Sequence, residues 1–532
     1  MFVAILTLVS KVIGLVKNQF LAAYFGTTFV TDTFNLANII PSMIFAGILA
    51  ATATSFIPVF SKTIELEGDI EANLFTSRII NLLVIISIVS SLVGIVFSRQ
   101  IVTLFTLPDM AGTGIALSGH NTGWYFSHLG WIITHGWTGE RLDLASFYVR
   151  VTFSYCLFSS VAGIMGSWLQ YKHIFIRPVI AGYALNLCTI IFILIAFRSS
   201  EPRLLVFGMF TGVAVQSIIL CIIAGRNKFH YTFNFHMTGT VRRILVLAVP
   251  VFIGTTVAQI NLFVDKALAS GLNEGSIAAL DFAFLLITFA TGMTVGVIAV
   301  ILYPKMAQAF SVGNESRFTE LLSTGISTLV IIGVPFTMGS LIYDGSVVKM
   351  VYFRGAFNMD SLAMTQTAFF FYAISLLPQM LTPLLIQAFY SRHNTRTPLI
   401  ISCMTVIINI IASLILVGPL KLGGLALGMS IANSIYVTLL LIALRRRSKG
   451  IINREFVRKC IKVLVASLIS VGGTLPIFIG VRNLFANNGW IMPQTVMLGL
   501  TVLLAVAIYL ILLKLLKVEE LKHIRTMLTF RN

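Results

Sequence analysis

Two lysines lie inside an apolar segment at the start of the chain. Lys11 and Lys17 interrupt the run from Phe2 to Tyr24, which is otherwise almost wholly apolar and long enough to cross a bilayer. A cation at the centre of a membrane helix costs about 2.5–3.5 kcal/mol, so such cations usually face an internal polar pathway. The segment therefore predicts a first membrane helix that lines a cavity suited to an anionic molecule.

Polar and ionisable residues of other apolar segments could join this cavity. Together with the two lysines, the candidate binding residues are Lys11, Lys17, Asp32, Asn35, Asn38, Gln259, Lys266 and Asp281. Asn35 and Asn38 belong to a stripe with spacings of three and four that keeps one helical face polar, and Gln259 and Lys266 share a face. Because Asp32, Lys266 and Asp281 lie near the ends of their segments, ordinary interfacial positions are the alternative interpretation.

The composition excludes a water-soluble protein. Hydrophobic residues make up 57% of the 532, charged residues only 11%, and the mean hydropathy is +0.94. The five cysteines are scattered singly without a CxxC pair, so neither a disulfide framework nor a zinc site is expected. No cofactor is expected either.

The apolar segments predict an all-α polytopic membrane protein with about fourteen transmembrane helices. Their approximate limits are 2–25, 29–60, 76–106, 141–170, 175–197, 203–225, 241–271, 275–310, 316–342, 361–390, 396–417, 422–445, 456–482 and 489–516. Most lysines and arginines of the connections fall on the side of the two termini, which predicts that both termini are cytoplasmic. The formal charge of +18 is therefore interpreted as an orientation signal and a contact for anionic lipid. No basic and aromatic nucleic-acid module is present, so no nucleic-acid partner is expected.

An internal repeat predicts two pseudo-symmetric lobes. Phe56-Ile57-Pro58 matches Leu302-Tyr303-Pro304, and Leu205 to Met209 matches Leu425 to Met429. Repeats of this kind are typical of transporters with a site between the repeats. The predicted domains are an N-terminal lobe, a cytoplasmic linker, a C-terminal lobe, and a C-terminal helix pair with a basic tail, at 1–225, 226–240, 241–445 and 446–532.

The first half carries an insert, an outer loop at about 107–140. It holds Trp124, Trp131 and Trp137 alongside His120, His128 and His135. The histidines permit a metal interpretation, but no carboxylate or close histidine pair completes a recognisable site, so no metal is expected. An amphipathic flap whose tryptophans rest at the membrane interface is the favoured interpretation.

Two stretches carry a resemblance to a known family. The first runs from Ser10 to Lys17 and continues through Phe25-Gly26, Thr31-Asp32 and Pro41; the second comprises Phe389 to Pro398 and Val417 to Lys421. Both resemble the lipid II flippase MurJ (MviN) family, over residues 5 to 445. That family belongs to the multidrug/oligosaccharidyl-lipid/polysaccharide exporter superfamily, which implies two six-helix lobes plus a final pair of helices.

The resemblance also implies an activity and a location. The chain would move undecaprenyl-pyrophosphate-linked peptidoglycan precursor across the bacterial cytoplasmic membrane by alternating access, with membrane lipids and cell-wall synthesis proteins as partners. Lys11 and Lys17 match positions where the family carries cavity arginines, and Asp32 matches its aspartate. Phe45 and Ala46 replace an arginine pair of the family, and Phe282 replaces the arginine that follows an aspartate.

Three alternatives remain at this point. The missing arginines favour a flippase for another lipid-linked oligosaccharide, such as an exopolysaccharide unit. A drug or cation antiporter of the same superfamily is expected to carry deep carboxylates rather than lysines. A membrane glycosyltransferase is expected to carry acidic catalytic residues on a large outer loop, and the outer acidic residues here are dispersed.

Replacing Lys11 with Ala is expected to abolish transport, because the anion would lose an ammonium group of its pathway, while the amount of protein in the membrane stays normal. Complementation of a transport-deficient strain measures this effect. Unchanged complementation would remove the proposed role of this cation.

Overall fold

The described part of the chain is helical throughout. The computed structural model describes residues 2–106, 137, 139–236, 238–447, 454–485 and 491–516. Its helices are α1 (Phe2–Phe25), α2 (Phe29–Val96), α3 (Ser98–Phe105), α4 (Gly139–Tyr171), α5 (Ile176–Ala181), α6 (Tyr183–Arg198), a 3-10 turn (Pro202–Leu204), α7 (Leu205–Arg226), α8 (Gly239–Ser270), α9 (Ser276–Ser311), α10 (Glu315–Ile342), α11 (Asp344–Tyr352), α12 (Met359–Ala373), α13 (Leu376–Ser391), α14 (Arg396–Leu420), α15 (Leu422–Arg447), α16 (Arg454–Phe485) and α17 (Ile491–Leu515).

The predicted spans coincide with these helices, although their number is not confirmed. Eleven helices of the described residues are long and apolar enough to cross a bilayer, or twelve if α12 and α13, bent by 47°, form one span. The second predicted span lies on α2 and the third on the end of α2 and α3; α2 runs for 68 residues and breaks at Gly68 with φ 83° and ψ 176°. Glycine adopts that φ without steric cost, so the chain can change direction there between two spans.

The chain forms two compact units. The first comprises Met1–Asp281 and Arg354–Ser361, and the second comprises Phe282–Phe353 and Leu362–Asn532. The predicted lobes follow the sequence repeat and have other limits, so their boundaries stay a prediction.

The first unit is built around α2, which packs against α4 and α8. Stacked rings of Phe56, Phe60 and Phe75 and the buried Trp168 form an apolar cluster there. Burial of such aromatic side chains is a major source of packing energy. In the second unit α14 packs on α15, and the C-terminal helices α16 and α17 pack on each other.

The C-terminal pair is joined to the rest of the second unit by tyrosines. Tyr509 of α17 donates a hydrogen bond to the carbonyl of Ile331 in α10 at 2.7 Å. The hydroxyls of Tyr343 and Thr474 lie 2.9 Å apart. Each bond pairs a buried tyrosine hydroxyl in an otherwise apolar contact. The two bonds hold the C-terminal helices against α10 and the residue that follows it.

The predicted flap lies mostly outside the described residues, but its end is described. Trp137 is only 4% exposed. Its indole Nε1 donates to the carbonyl of Ser270 at the end of α8 over 3.1 Å, and its backbone N–H donates to Thr106 Oγ1 over 2.9 Å. The prediction that the tryptophans rest at the membrane interface is therefore wrong for Trp137, because its indole finds its acceptor inside the protein.

Glycines allow close contact in the helix pairs that the repeat aligns. A Cβ on Gly208 would lie 2.8 Å from the Cα of Thr189, and one on Gly212 would lie 2.7 Å from the Cα of Leu185, so α7 packs on α6 backbone to backbone. In the second unit, a Cβ on Gly428 of α15 would lie 2.7 Å from the hydroxyl of Ser413 in α14. Small residues at this spacing are typical of tightly packed membrane helices.

Replacing Gly212 with Val is expected to lower the melting temperature of the purified protein by several degrees. The side chain has no space against α6, and overpacking of this kind costs about 1–3 kcal/mol. The matched control is Gly225→Val in the same helix, because no atom lies within 4 Å of a Cβ at Gly225. Equal shifts for the two variants, measured in one detergent, would contradict the packing role.

Candidate functional site

An ion pair joins α8 to the start of α9 inside the first unit. Lys266 Nζ lies 2.7 Å from Asp281 Oδ2, with side-chain exposures of 16% and 29%. Both side chains are therefore largely withdrawn from solvent. A charge in such surroundings is retained when an opposite charge and hydrogen bonds compensate for its lost hydration. The sequence predicted that these two residues share one site, and the structure brings them into direct contact.

Lys17 of α1 belongs to the same group of charges. Its side chain is half-buried, and it lies within electrostatic reach of the Asp281 carboxylate. Asp281 is thus paired with Lys266 and lies near a second ammonium group, and the three side chains carry one net positive charge. We call Lys17, Lys266 and Asp281 the charge cluster. Asp265, 4% exposed, is a further buried carboxylate that directly precedes Lys266.

Asp32 lies close by in the fold but is engaged with backbone. It is 4% exposed, and its two carboxylate oxygens accept hydrogen bonds from the N–H groups of Gly275 and Ala278, each at 2.7 Å. These N–H groups stand at the start of α9, where the first turn of a helix has no internal acceptors. A carboxylate there is further favoured by the helix dipole. Asp32 of α2 thus caps another helix.

The reverse bond is made by a residue that the sequence analysis missed. Glu274, just before α9, accepts a hydrogen bond from the backbone N–H of Phe29 at the start of α2 through Oε1 at 2.9 Å. Its other oxygen, Oε2, lies 2.7 Å from Arg141 Nη2. The starts of α2 and α9 therefore cap each other, and we call this arrangement the reciprocal cap. An acidic residue directly before the Gly275-Ser276 turn is the sequence signal that could have indicated it.

Further hydrogen bonds and one close backbone approach surround the reciprocal cap. The N–H of Ala356 donates to the carbonyl of Ala23 at 2.7 Å, and the hydroxyl of Thr27 donates to that of Ser361 at 2.7 Å. A Cβ on Gly275 would lie 2.3 Å from the carbonyl oxygen of Thr27, and the φ of Gly275 is +87°. Only glycine fits both that angle and that approach. The segment 354–361 therefore packs against the end of α1 and the turn that precedes α2.

Polar side chains of α2 and α8 carry buried atoms that lack partners. Among the described residues, Asn35 Nδ2, Asn38 Oδ1 and Thr256 Oγ1 are buried without a hydrogen-bond partner. Asn38 Nδ2 donates to the carbonyl of Phe34 at 2.8 Å. Gln259, one helical turn beyond Thr256 on α8, is half-buried. Unpaired buried polar atoms are costly, so these side chains are suited to binding water or the hydroxyl and amide groups of a ligand.

Lys11 is separated from the charge cluster. Its side chain is exposed, whereas that of Lys17 is half-buried. Six residues of helix rotate a side chain by about 240° and advance it by about 9 Å, so the two lysines point in different directions. The structure therefore unites Lys17, Lys266 and Asp281, places Asp32 in the reciprocal cap, and leaves Lys11 apart.

Two positions that carry arginine in the resembled family are core positions in this chain. Phe45 is 3% exposed and Phe282 is 1% exposed. The carbonyl of Phe282 accepts a hydrogen bond from Tyr352 Oη at 3.1 Å. Neither position can supply a cation, so the positive surplus of this chain depends on lysines.

Comparisons with known proteins agree with this architecture. A sequence profile described as "Lipid II flippase MurJ" matches residues 21–116 and 126–513. The "Probable lipid II flippase MurJ" of Rickettsia prowazekii (strain Madrid E) is 26% identical over 511 residues, covering 95% of each chain.

Solved structures show the same fold. A structure titled "Lipid II flippase MurJ, inward closed conformation" matches with a TM-score of 0.77 at 20% identity, covering 97% of this chain and 98% of that one. An inward-facing multidrug resistance MATE family transporter of the MOP superfamily matches with a TM-score of 0.65 at 13% identity, covering 83% of this chain and 95% of that one. These likenesses confirm the predicted all-helical membrane transporter fold, and the match of the profile to most of the chain shows that the chain belongs to the lipid II flippase MurJ family.

Proposed function

We propose that this protein moves lipid II, the undecaprenyl-pyrophosphate-linked peptidoglycan precursor, from the inner to the outer leaflet by alternating access. It is a transporter and not an enzyme, as membership of the family implies. The observation that carries the proposal is the charge cluster, because two lysines and one carboxylate inside apolar helices suit a diphosphate. The family and the apolar helices support a multi-pass protein of the bacterial inner membrane that has a lipid-linked substrate.

The proposed orientation places both termini in the cytoplasm. It is supported by the excess of lysine and arginine in the connections on that side. On this topology α1 runs outward, so Lys11 lies nearer the cytoplasm than Lys17. Lys11 would meet the diphosphate first, and Lys17 would receive it about 9 Å further along the helix.

The charge cluster would bind the diphosphate by exchange. Asp281 holds Lys266 in an ion pair, and a diphosphate with more negative charge would displace that carboxylate and be attracted by Lys17 as well. Lysine lacks the planar fork of arginine, so it binds phosphate as a point charge without a fixed orientation. Asn35, Asn38 and Gln259 would supply hydrogen bonds to the sugar and peptide groups.

The reciprocal cap would act as the outer closure of the pathway. Opening α2 away from α9 must break the bonds of Asp32 and Glu274 to backbone N–H groups, and charge-assisted bonds of this type contribute about 1.5–3 kcal/mol each. Asp32 would then govern how readily the outer side opens, instead of contacting the substrate. Control of opening and contact with the substrate are distinguishable roles, because only control of opening alters the dynamics of α9 in the absence of substrate.

Lys17→Gln is expected to reduce lipid II transport by about tenfold or more, since one charge-assisted contact to the diphosphate is lost. Lys17→Arg is expected to retain transport, because it preserves the charge. The measurements are rescue of a strain depleted of its lipid II flippase and a leaflet-accessibility assay for lipid II.

The matched control for this pair is Lys305→Gln, which removes an exposed charge outside the charge cluster. Full transport by Lys17→Gln, at normal protein levels, would eliminate the proposed diphosphate contact. If the unaltered chain exposes another lipid-linked oligosaccharide but not lipid II, the head group in this proposal is wrong.

Asp32→Asn is expected to loosen the start of α9 in the absence of substrate. An amide offers one acceptor oxygen in place of two, and its NH₂ group would face a backbone N–H. Hydrogen exchange of the peptide that covers residues 275–278 should accelerate about tenfold, as expected for loss of one charge-assisted bond.

The control is Asp143→Asn, which breaks the exposed ion pair of Asp143 with Arg99. Exposed pairs contribute little, so its exchange should match that of the unaltered chain. Unchanged exchange at residues 275–278 in Asp32→Asn would refute the closure role of Asp32.

A further inference from the structure

A cleft of about 360 Å³ opens at the other end of the first unit, between α2 and the start of α8. Its charged lining residues are Lys62 and Glu67 on α2 and Arg243 on α8. The two basic side chains are exposed and come from different helices, facing one space. The cleft is remote in sequence from the charge cluster, and nothing in the transport proposal uses it.

The basic side chains of the cleft are available for a ligand. In the described part of the chain, neither Lys62 nor Arg243 takes part in an ion pair. Two cations against the single carboxylate of Glu67 leave a positive surplus. Buried Thr63 uses its hydroxyl on the carbonyl of Val59 at 3.0 Å, so it holds the α2 wall and does not neutralise the surplus.

The walls of the cleft are held by packing. Val59 and Phe60 of α2 and Val241 and Ile244 of α8 belong to one buried apolar cluster. A charged cleft over a packed base needs little rearrangement to bind, and such pre-organisation favours affinity.

The chain segment that leads into α8 carries exposed aromatic side chains. Asn81 of α2 fixes this segment: it accepts from Tyr231 Oη at 2.5 Å and donates to the carbonyl of Asn234 at 2.9 Å. The ring of Phe233 beside them is 77% exposed and Tyr231 is 52% exposed. Exposed aromatic side chains next to basic ones are typical of the membrane interface.

We propose that this cleft binds the phosphate of a membrane lipid through Lys62 and Arg243. The ligand chemistry is a phosphate group on a hydrophobic chain, which both an anionic phospholipid and a polyprenyl diphosphate supply. Leu66, 70% exposed at the rim, offers an apolar contact for that chain. The inference concerns binding only, so it stands or falls independently of lipid II transport.

Native mass spectrometry of the full chain in detergent tests the proposal with three probes: dioleoylphosphatidylglycerol, farnesyl diphosphate and dioleoylglycerol, which lacks phosphate. The Lys62→Gln/Arg243→Gln variant is expected to bind one or both phosphate probes about tenfold or more weakly, since each basic residue near a lipid head group contributes severalfold to affinity. Loss for phosphatidylglycerol alone identifies a phospholipid site, and loss for farnesyl diphosphate alone identifies a site for the carrier lipid.

The matched control is Arg242→Gln, because Arg242 is an exposed neighbour of Arg243 that does not line the cleft. Glu67→Gln should strengthen phosphate binding severalfold, since it removes the opposing carboxylate. Unchanged binding of both phosphate probes to the double variant would overturn the proposal. An equal loss in Arg242→Gln, or an equal loss of dioleoylglycerol, would overturn it as well.

Discussion

The ion pair of Lys266 with Asp281, with Lys17 nearby, is the interaction on which the proposed site depends. Asp281 lies 2.7 Å from Lys266 and attracts Lys17 electrostatically, so both ammonium groups are partly compensated. Complete neutralisation of the lysines would remove their attraction for an anion. Lysines without any compensating charge would make the apolar helices costly to insert into the membrane. A carboxylate close to both lysines satisfies both constraints, since it stabilises the buried cations and can be displaced by a ligand with more negative charge.

The same part of the chain fixes where the helices begin. Asp32 and Glu274 each satisfy backbone N–H groups at the start of the other's helix, and the φ of Gly275 permits the close turn between them. The helix ends are thereby satisfied by charged side chains and not by water. This matters in a membrane protein, where an unsatisfied N–H group away from water costs several kcal/mol. The fold and the proposed closure thus depend on the same hydrogen bonds.

The resemblance implies that the family has arginine where this chain has Phe45 and Phe282. Both phenylalanines are packed in the core, so the proposed chemistry rests on lysines of α1 and α8. Lysine is strongly hydrated and binds phosphate without fixed orientation. The unpaired amide atoms of Asn35 and Asn38 then become more important, because directed hydrogen bonds must supply the specificity that point charges lack.

The sequence by itself determined the helical spans, the membrane class and the family, because long apolar runs and local motifs are properties of neighbouring residues. It also identified Lys17, Lys266 and Asp281 as candidates, since any charge in an apolar helix is conspicuous. Only the tertiary structure decided that Asp281 pairs with Lys266, that Asp32 caps α9, that Glu274 completes the cap, and that Trp137 is buried. These partners are far apart along the chain. Helical periodicity specifies the face on which a side chain lies, whereas its partner depends on how distant helices pack.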